Sequence, residues 1–179
     1  MKILGISGSL RRDSYNTTLL RNAPLPLELW DELKSIPPYD EDDDIEPAPP
    51  AVARMRAAVA GADAVLFATP EYNGSVPGQL KNAIDWLSRP RATSVLRNKP
   101  VAVVGASTGA FGAVWGQAEL RKVLATAGAR VVEGELVVGR AHVQFDADDF
   151  LTDHNLREQF HDVVDALLVE ATPRVPIAA

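Results

Sequence analysis

A loop rich in hydroxyl side chains follows the first apolar segment of the chain and has the composition of a phosphate site. Residues 7–17 read Ser-Gly-Ser-Leu-Arg-Arg-Asp-Ser-Tyr-Asn-Thr and lead into a helical pattern. Hydroxyls, backbone N–H groups and a helix N-terminus together bind phosphate well. The hydroxyls here belong to Ser7, Ser9, Ser14 and Thr17. Arg11 or Arg12 would add a forked cation for the phosphate oxygens. The alternative is a polar turn in which Asn16 caps the helix.

The glycine spacing excludes the two best-known phosphate loops. The sequence has no Gly-x-x-x-x-Gly-Lys-[Ser/Thr] motif, so it lacks the lysine that holds a nucleoside triphosphate. Gly5 and Gly8 form Gly-x-x-Gly rather than the Gly-x-Gly-x-x-Gly of dinucleotide folds. Asp31 does stand about twenty residues further on, where those folds place a ribose-binding acid. Without the glycine pattern, Asp31 alone does not predict a dinucleotide fold.

Two later loops contain residues that leave backbone groups open to a ligand. In residues 69–78, the pair Asn73-Gly74 predicts a tight turn, because both residues tolerate positive φ. Tyr72 places an aromatic ring on the same loop. Residues 107–112 form another turn of small residues before a helical pattern. The three loops together predict a slot with a phosphate socket at one end and open backbone along the other.

The elements that must position these loops alternate along the chain. Continuously apolar runs, typical of strands buried on both faces, lie at residues 2–7, 62–69 and 100–107. Weaker strand candidates lie at 27–30 and 130–138. Helical patterns lie at 16–23, 51–60, 77–88, 112–127 and 153–171. The alternation predicts one α/β domain over residues 1–179, a flavodoxin-like three-layer sandwich with a five-stranded parallel sheet in the order 2-1-3-4-5.

This topology predicts where a ligand binds. In open α/β sheets, ligands lie beyond the carboxyl ends of the strands, at the point where the strand order reverses. In the order 2-1-3-4-5 that point lies between strands 1 and 3. The three loops follow strands 1, 3 and 4, so we expect them to meet at this edge of the sheet.

Composition narrows the chemistry further. The 179 residues include no cysteine, which excludes disulfides, thiolate nucleophiles and Cys-ligated metals or clusters. The net charge of -6 argues against a nucleic-acid partner. No apolar run approaches the roughly 20 residues that span a bilayer, so we expect no membrane association and a cytoplasmic protein. His154 and His161 stand two helical turns apart, too far to share a metal, and no metal site is predicted.

The loop sequences resemble those of the NADPH-dependent FMN reductase family, which contains flavodoxin-like quinone, chromate and azo-dye reductases. Residues 8–16 carry G-S-L-R-x-x-S-x-N, which is similar to the phosphate signature of that family. Residues 69–89 carry T-P-E-Y-N-G-S-x-P-G-x-L-K-N-A-I-D-W-L-S-R without a gap, and this second signature is long and specific. The resemblance continues through the helix after strand 4.

The resemblance implies bound FMN. By position, it implies that the phosphate is held by Ser9, Arg11, Ser14, Asn16 and Thr17. It implies that the flavin ring is lined by Pro70, Glu71, Tyr72, Asn73 and Gly74, mainly through backbone groups, and closed on its other edge by Ser107 and Gly109. Because the flavin carries the chemistry, no catalytic side chain is expected.

The implied activity is transfer of hydride from NADPH or NADH, through FMN, to a quinone or similar acceptor by a ping-pong mechanism. Azo dyes, chromate or free flavin are further acceptors, and a homodimer or homotetramer is favoured. One alternative is a reductase that supplies reduced FMN to a partner monooxygenase. Another is a non-enzymatic FMN electron carrier. Residues 89–91, Arg-Pro-Arg, are a candidate contact for the phosphates of the nicotinamide cofactor, with a solvated loop end as the alternative.

The chain departs from the family pattern in three places. It has Gly112-Ala113 where relatives often have paired glycines, and the Ala113 methyl would either narrow the space beside the flavin or pack inside the helix. Pro24 and Pro26 shorten the first helix. The acidic run over residues 40–44 is longer than expected and is predicted to lie in a solvated loop, with a partner contact as the alternative.

Overall fold

The sheet of this protein is built from the segments that are continuously apolar in the sequence. The computed structural model describes residues 1–172. The strands are β1 (Ile3–Ser7), β2 (Glu28–Trp30), β3 (Ala64–Ala68), β4 (Pro100–Ala106), β5 (Arg130–Val131) and β6 (Val137–Val138). The helices are α1 (Tyr15–Arg21), α2 (Pro50–Ala60), α3 (Gly78–Leu87), α4 (Val114–Thr126) and α5 (His154–Ala171). None of the helices within residues 1–172 is both long and apolar enough to cross a bilayer.

The strand order β2-β1-β3-β4-β5 confirms the predicted flavodoxin-like order, and all pairs are parallel. Successive strand residues face opposite sides, so the sheet supports two separate cores. On one side Ile6, Phe67 and Val103 pack with α2, α3 and α4. On the other side Leu66 and Val104 pack with α1 and α5. The continuous apolar runs follow from this burial on both faces.

The sequence predicted five strands, the last of them over residues 130–138. The structure shows that this last prediction is wrong, because two short strands lie there. β5 pairs with the start of β4 and β6 pairs with its end, so residues 1–172 contain six strands rather than five. Residues 132–136 separate these two strands, and Arg121 of α4 contacts the backbone there. Its guanidinium donates to the carbonyls of Val103 at 3.1 Å and Gly134 at 2.8 Å. Burial lowers the pKa of Arg121. Its Nη2 donates to these two carbonyls where the strand ladder is interrupted, whereas its buried Nε has no hydrogen-bond partner within residues 1–172.

The acidic run over residues 40–44 is exposed, as predicted for a solvated loop, except at its last residue. Asp44 forms an ion pair with Arg56 at 2.8 Å, and both side chains are mostly buried. Upstream, the carbonyl of Pro37 accepts hydrogen bonds from Asn82 at 2.8 Å and from the indole of Trp86 at 2.9 Å, both on α3. Trp86 is only 1% exposed and is therefore a core residue. Helix α3 thus anchors this segment, although residues 40–43 remain exposed as predicted.

Helix α1 is short, as the two prolines predict. It ends at Arg21, and Asn22 closes it by donating its backbone N–H to the carbonyls of Thr18 and Leu19. The chain then turns toward β2 through Pro24 and Pro26, which lack the N–H that a longer helix needs. All three residues of β2 are exposed or half-buried.

Candidate functional site

The three loops meet at the carboxyl edge of the sheet, where the strand order reverses. They enclose a cleft of about 190 Å³. Its lining includes eight of the twelve predicted site residues, namely Ser9, Arg11, Ser14, Asn16, Pro70, Glu71, Tyr72 and Ser107. The other four lie in the same loops but outside this lining, namely Thr17, Asn73, Gly74 and Gly109. The topology therefore brings together residues that are up to about a hundred positions apart.

Hydroxyl groups set the shape of the first loop. Ser7 Oγ accepts hydrogen bonds from Thr17 Oγ1 at 3.0 Å and from the N–H of Ser9 at 3.3 Å. Ser14 Oγ accepts from the N–H of Thr17 at 3.4 Å and is the N-cap of α1. The hydroxyl of Thr17 donates to Ser7 Oγ and therefore stabilises the loop instead of donating to a ligand. Ser9 and Ser14 accept only from backbone N–H groups, so their O–H groups remain available to a phosphate.

Asn16 joins the first loop to the third. Its amide donates to the carbonyl of Ala106 at 2.9 Å and accepts from the N–H of Ala106 at 2.9 Å. Asn16 is only 3% exposed. The alternative in which Asn16 caps α1 is therefore wrong, because Ser14 takes that position. One amide N–H of Asn16 is left for a ligand.

The second loop contains the tight turn predicted from its sequence. Tyr72 and Ser75 exchange backbone hydrogen bonds of 3.1 Å each. Asn73 and Gly74 between them have φ of 54° and 74°, the values of a primed hairpin turn. Within residues 1–172 the N–H groups of Asn73 and Gly74 donate to no protein acceptor. A Cβ added at Gly74 would meet no heavy atom within 4 Å. The turn thus presents free N–H groups to open space.

Glu71 fixes the second loop against α4. Its Oε2 accepts from the N–H of Gly116 at 2.9 Å. Helix α4 starts after Ala113, which gives it no side-chain cap, so Glu71 supplies the missing acceptor from another loop. A Cβ at Gly116 would lie 3.2 Å from both Glu71 Cβ and the Pro70 carbonyl. Gly116 therefore allows the second loop to approach α4 closely. The sequence analysis did not predict this role, because a glycine inside a helical pattern does not show which residues pack against it.

The third loop is held from β6 and the turn after it. The N–H of Ser107 donates to the Val138 carbonyl at 3.0 Å, and Ser107 Oγ accepts from the N–H of Gly109 at 3.1 Å. Ala113 takes a left-handed φ of 64° and is 3% exposed. Its methyl therefore packs inside the protein rather than narrowing the cleft. A non-glycine residue in this conformation costs about 1–2 kcal/mol.

These groups fit FMN. Hydroxyls of Ser9 and Ser14 and the guanidinium of Arg11 line one end of the cleft and suit a phosphate. The Asn73–Gly74 turn offers donors without a competing acid, and charge builds up on a flavin when it is reduced. Tyr72 lines the cleft and is 49% exposed, so it is accessible to a planar ligand.

The basic cluster at residues 89–91 lies elsewhere. It follows the end of α3, about 15 Å along the helix axis from the loop that starts it. Arg89 and Arg91 line a separate groove of about 440 Å³ between α3 and α4, together with Lys81, Arg97 and Lys122. Within one subunit, the structure does not bring this cluster to the cleft.

Known proteins share both the sequence and the fold. The profile of the NADPH-dependent FMN reductase family matches residues 1–143. An NAD(P)H-dependent FMN reductase from Pseudomonas aeruginosa is 43% identical over 174 residues, 93% of each chain. A 2-hydroxy-1,4-benzoquinone reductase from a Burkholderia species is 44% identical over 131 residues, 70% of each chain. The structure of FerB, a flavoenzyme NAD(P)H:(acceptor) oxidoreductase from Paracoccus denitrificans, is 33% identical with a TM-score of 0.81, covering 95% of this chain and 96% of its own. All three loops of the cleft lie within the matched residues.

Proposed function

Because this chain belongs to the NADPH-dependent FMN reductase family, we propose that it passes electrons from NAD(P)H to a quinone in two separate half-reactions. It is an FMN-dependent NAD(P)H oxidoreductase. The single observation that carries the proposal is the shape of the cleft, in which a hydroxyl-lined socket adjoins an open turn with free N–H groups. The separate half-reactions are our inference, since donor and acceptor would use the same open face in turn.

The protein contributes binding and orientation. Bound FMN supplies the chemistry that accepts hydride from a nicotinamide and passes two electrons to an acceptor. Ser9, Ser14 and Arg11 would hold its phosphate, and the N–H groups of Asn73 and Gly74 would donate to the polar edge of its ring. We assign no proton transfer to Glu71, because its carboxylate already accepts from the N–H of Gly116.

A quinone is the acceptor best supported for this site. A second cleft of about 320 Å³ adjoins the first and shares Arg11 and Tyr72 with it. Leu10 also lines it and is 46% exposed, so the entrance combines apolar and aromatic surface. Flat apolar rings suit such a surface. Quinone reductases are among the relatives, from Pseudomonas putida and Escherichia coli, at 48% and 40% identity. Azo dyes and chromate are further proposed acceptors.

Free FMN is a second candidate acceptor, because the Pseudomonas aeruginosa relative is named an FMN reductase. In that case the protein would supply reduced FMN to a partner monooxygenase. A passive electron carrier is less well supported, since the relatives are named reductases. We also propose a cytoplasmic location, where NAD(P)H is available.

A homodimer or homotetramer is our proposal for the assembly. Phe111 and Trp115, beside the third loop, are 64% and 53% exposed, and their ring centroids lie 5.1 Å apart. Two adjacent exposed aromatic rings are unusual on a free surface. A second copy of the chain would cover them next to the site. Light scattering on the purified protein measures the number of subunits.

An anaerobic experiment tests the proposed reaction. The FMN-loaded protein is mixed with NADPH or NADH, and the flavin absorbance is followed. We expect rapid bleaching by at least one donor. The reduced protein is then separated from the dinucleotide and mixed with a quinone, which should restore the colour without nicotinamide. Failure to bleach with either donor would refute the reductase, and recovery only in the presence of nicotinamide would refute the two separate half-reactions. Comparing kcat/KM for a quinone and for free FMN ranks the two acceptors.

A further inference from the structure

A third cleft lies on the far side of the phosphate loop, at the carboxyl ends of β1 and β2. Its volume is about 340 Å³, within the range of small-molecule sites. One wall is the phosphate loop itself, including Ser9 and Arg11, and the opposite wall comprises Asp31 and Lys34 after β2. Because Ser9 and Arg11 also line the proposed flavin cleft, the two clefts are neighbours on either side of this loop.

The charge of this third cleft is opposite to that of the whole chain. The chain carries a net charge of -6. The cleft is lined by four cationic side chains, those of Arg11, Arg12, Arg21 and Lys34. Among the residues that the structure describes, Asp31 is the one carboxylate in the lining. Within residues 1–172 none of the four cations forms an ion pair with a carboxylate. Unpaired like charges in one cleft repel each other and attract an anion.

The proposed reaction leaves these charges without a role. Arg11 is assigned to the phosphate of FMN, which leaves Arg12, Arg21 and Lys34 unassigned. The nicotinamide dinucleotide brings an anionic group to the same edge of the sheet, since its pyrophosphate must lie outside the flavin cleft when its nicotinamide is inside. β2 lies two strand spacings from β3, about 10 Å, so the third cleft is within the reach of an extended dinucleotide.

The position of Asp31 supports a nucleotide over a simple anion. It stands directly after β2 and is exposed. Dinucleotide-binding folds place a carboxylate at the corresponding strand end, where it accepts hydrogen bonds from ribose hydroxyls. A cleft for inorganic phosphate alone would gain nothing from a carboxylate. Leu10, which is 46% exposed, and the half-buried Leu29 add apolar surface to the same cleft, which suits a purine ring.

We propose that this cleft binds the adenosine phosphate half of NAD(P)H, with Arg12 and Lys34 on its phosphate oxygens. The inference rests on the proposed function, since it concerns the hydride donor of that reaction. It assigns the dinucleotide to β1 and β2 of the same subunit rather than to residues 89–91. The phosphate in contact is either the pyrophosphate of both donors or the 2′-phosphate of NADPH.

The test uses the FMN-loaded protein and the variants Arg12→Ala and Lys34→Ala. The dissociation constant of each donor comes from the concentration dependence of anaerobic flavin reduction. We expect each variant to raise it about three- to tenfold, as for loss of one partly screened charged contact. Independently of turnover, 5′-ADP and 2′,5′-ADP should bind the oxidised protein in calorimetry, and more weakly to both variants. A rise for both donors indicates the pyrophosphate, and a rise for NADPH alone indicates the 2′-phosphate.

Arg91→Ala is the matched control, an exposed arginine in the separate α3–α4 groove. It should leave donor affinity within about twofold of the wild type. Lys34 lies outside the phosphate loop, so we expect Lys34→Ala to keep its FMN. Flavin absorbance measures the FMN content of each variant and so separates weaker donor binding from loss of FMN. Unchanged affinity in both variants, or no binding of either ADP to the wild type, overturns the assignment. Bleaching by neither donor in the wild type overturns the proposed function instead.

Discussion

Removing the carboxylate of Glu71 tests whether the second loop depends on its contact with α4. The variants are Glu71→Ala, which removes the acceptor, and Glu71→Gln, which keeps an oxygen but not the charge. In the structure Oε2 accepts from the N–H of Gly116 at 2.9 Å, in the first turn of α4. A hydrogen bond to a charged group contributes about 1.5–3 kcal/mol, and a charge at a helix N-terminus adds about 0.3–1 kcal/mol.

The side chain of Glu71 is partly exposed, so the lower end of this range applies. We expect Glu71→Ala to lower the free energy of unfolding by about 1–2 kcal/mol, which corresponds to a Tm decrease of about 2–8 °C for a chain of this size. Glu71→Gln should cost less than about 1 kcal/mol, since a neutral acceptor remains. The affinity for FMN should fall with Glu71→Ala, because the Asn73–Gly74 turn follows directly from this anchor. Urea denaturation and quenching of flavin fluorescence measure the two quantities.

Glu119→Ala is the matched control. Glu119 lies on α4, the helix that Glu71 contacts, and forms a surface ion pair with Lys122 at 3.6 Å. It should change stability by less than about 0.5 kcal/mol. If Glu71→Ala is no less stable than Glu119→Ala, the capping argument is refuted. If Glu71→Gln keeps normal stability and FMN affinity but loses kcat, Glu71 transfers a proton and our assignment is wrong.

Three further predictions concern other contacts. Gly74→Ala should weaken FMN binding and cost about 1–2 kcal/mol, because φ at Gly74 is 74°, and fluorescence titration with denaturation measures both effects. Arg121→Met should lower stability in urea by about 2–3 kcal/mol, since the carbonyls of Val103 and Gly134 lose their donor. Asp44→Asn should cost about 1–3 kcal/mol by leaving the mostly buried Arg56 without its carboxylate, again measured in urea.

Each of these variants has a control close to it in the chain. Gly78→Ala places a methyl in equally open space without positive φ, and should be neutral. Lys122→Ala removes an exposed cation beside Arg121, and Asp42→Asn neutralises an exposed acid in the same run as Asp44. Both should change stability by less than about 0.5 kcal/mol. A variant that matches its control contradicts the contact on which its prediction rests.

Local signals in the sequence were enough for the strand order and for the helices, although not for the division of the edge strand into β5 and β6. The apolar runs that become β1, β3 and β4 are continuous because both faces of these strands are buried. The turn at Asn73 and Gly74 follows from the residues themselves, since both accept positive φ. The strand order then places the three loops at one edge. The loop positions therefore depend on periodicity and turn chemistry, which are encoded within a few residues.

What the sequence by itself determined was the order of the main strands and helices and the edge of the sheet at which the three loops meet. Only the tertiary structure decided which long-range contacts hold those loops and the edge of the sheet in place. Asn16 meets Ala106 across 90 positions, Glu71 meets Gly116 across 45, and Arg121 meets Val103 across 18 where the edge strand divides. Each contact satisfies a backbone group that its own element leaves unpaired. Local pattern shows that such a group needs a partner, but which side chain reaches it depends on how the helices pack on the sheet.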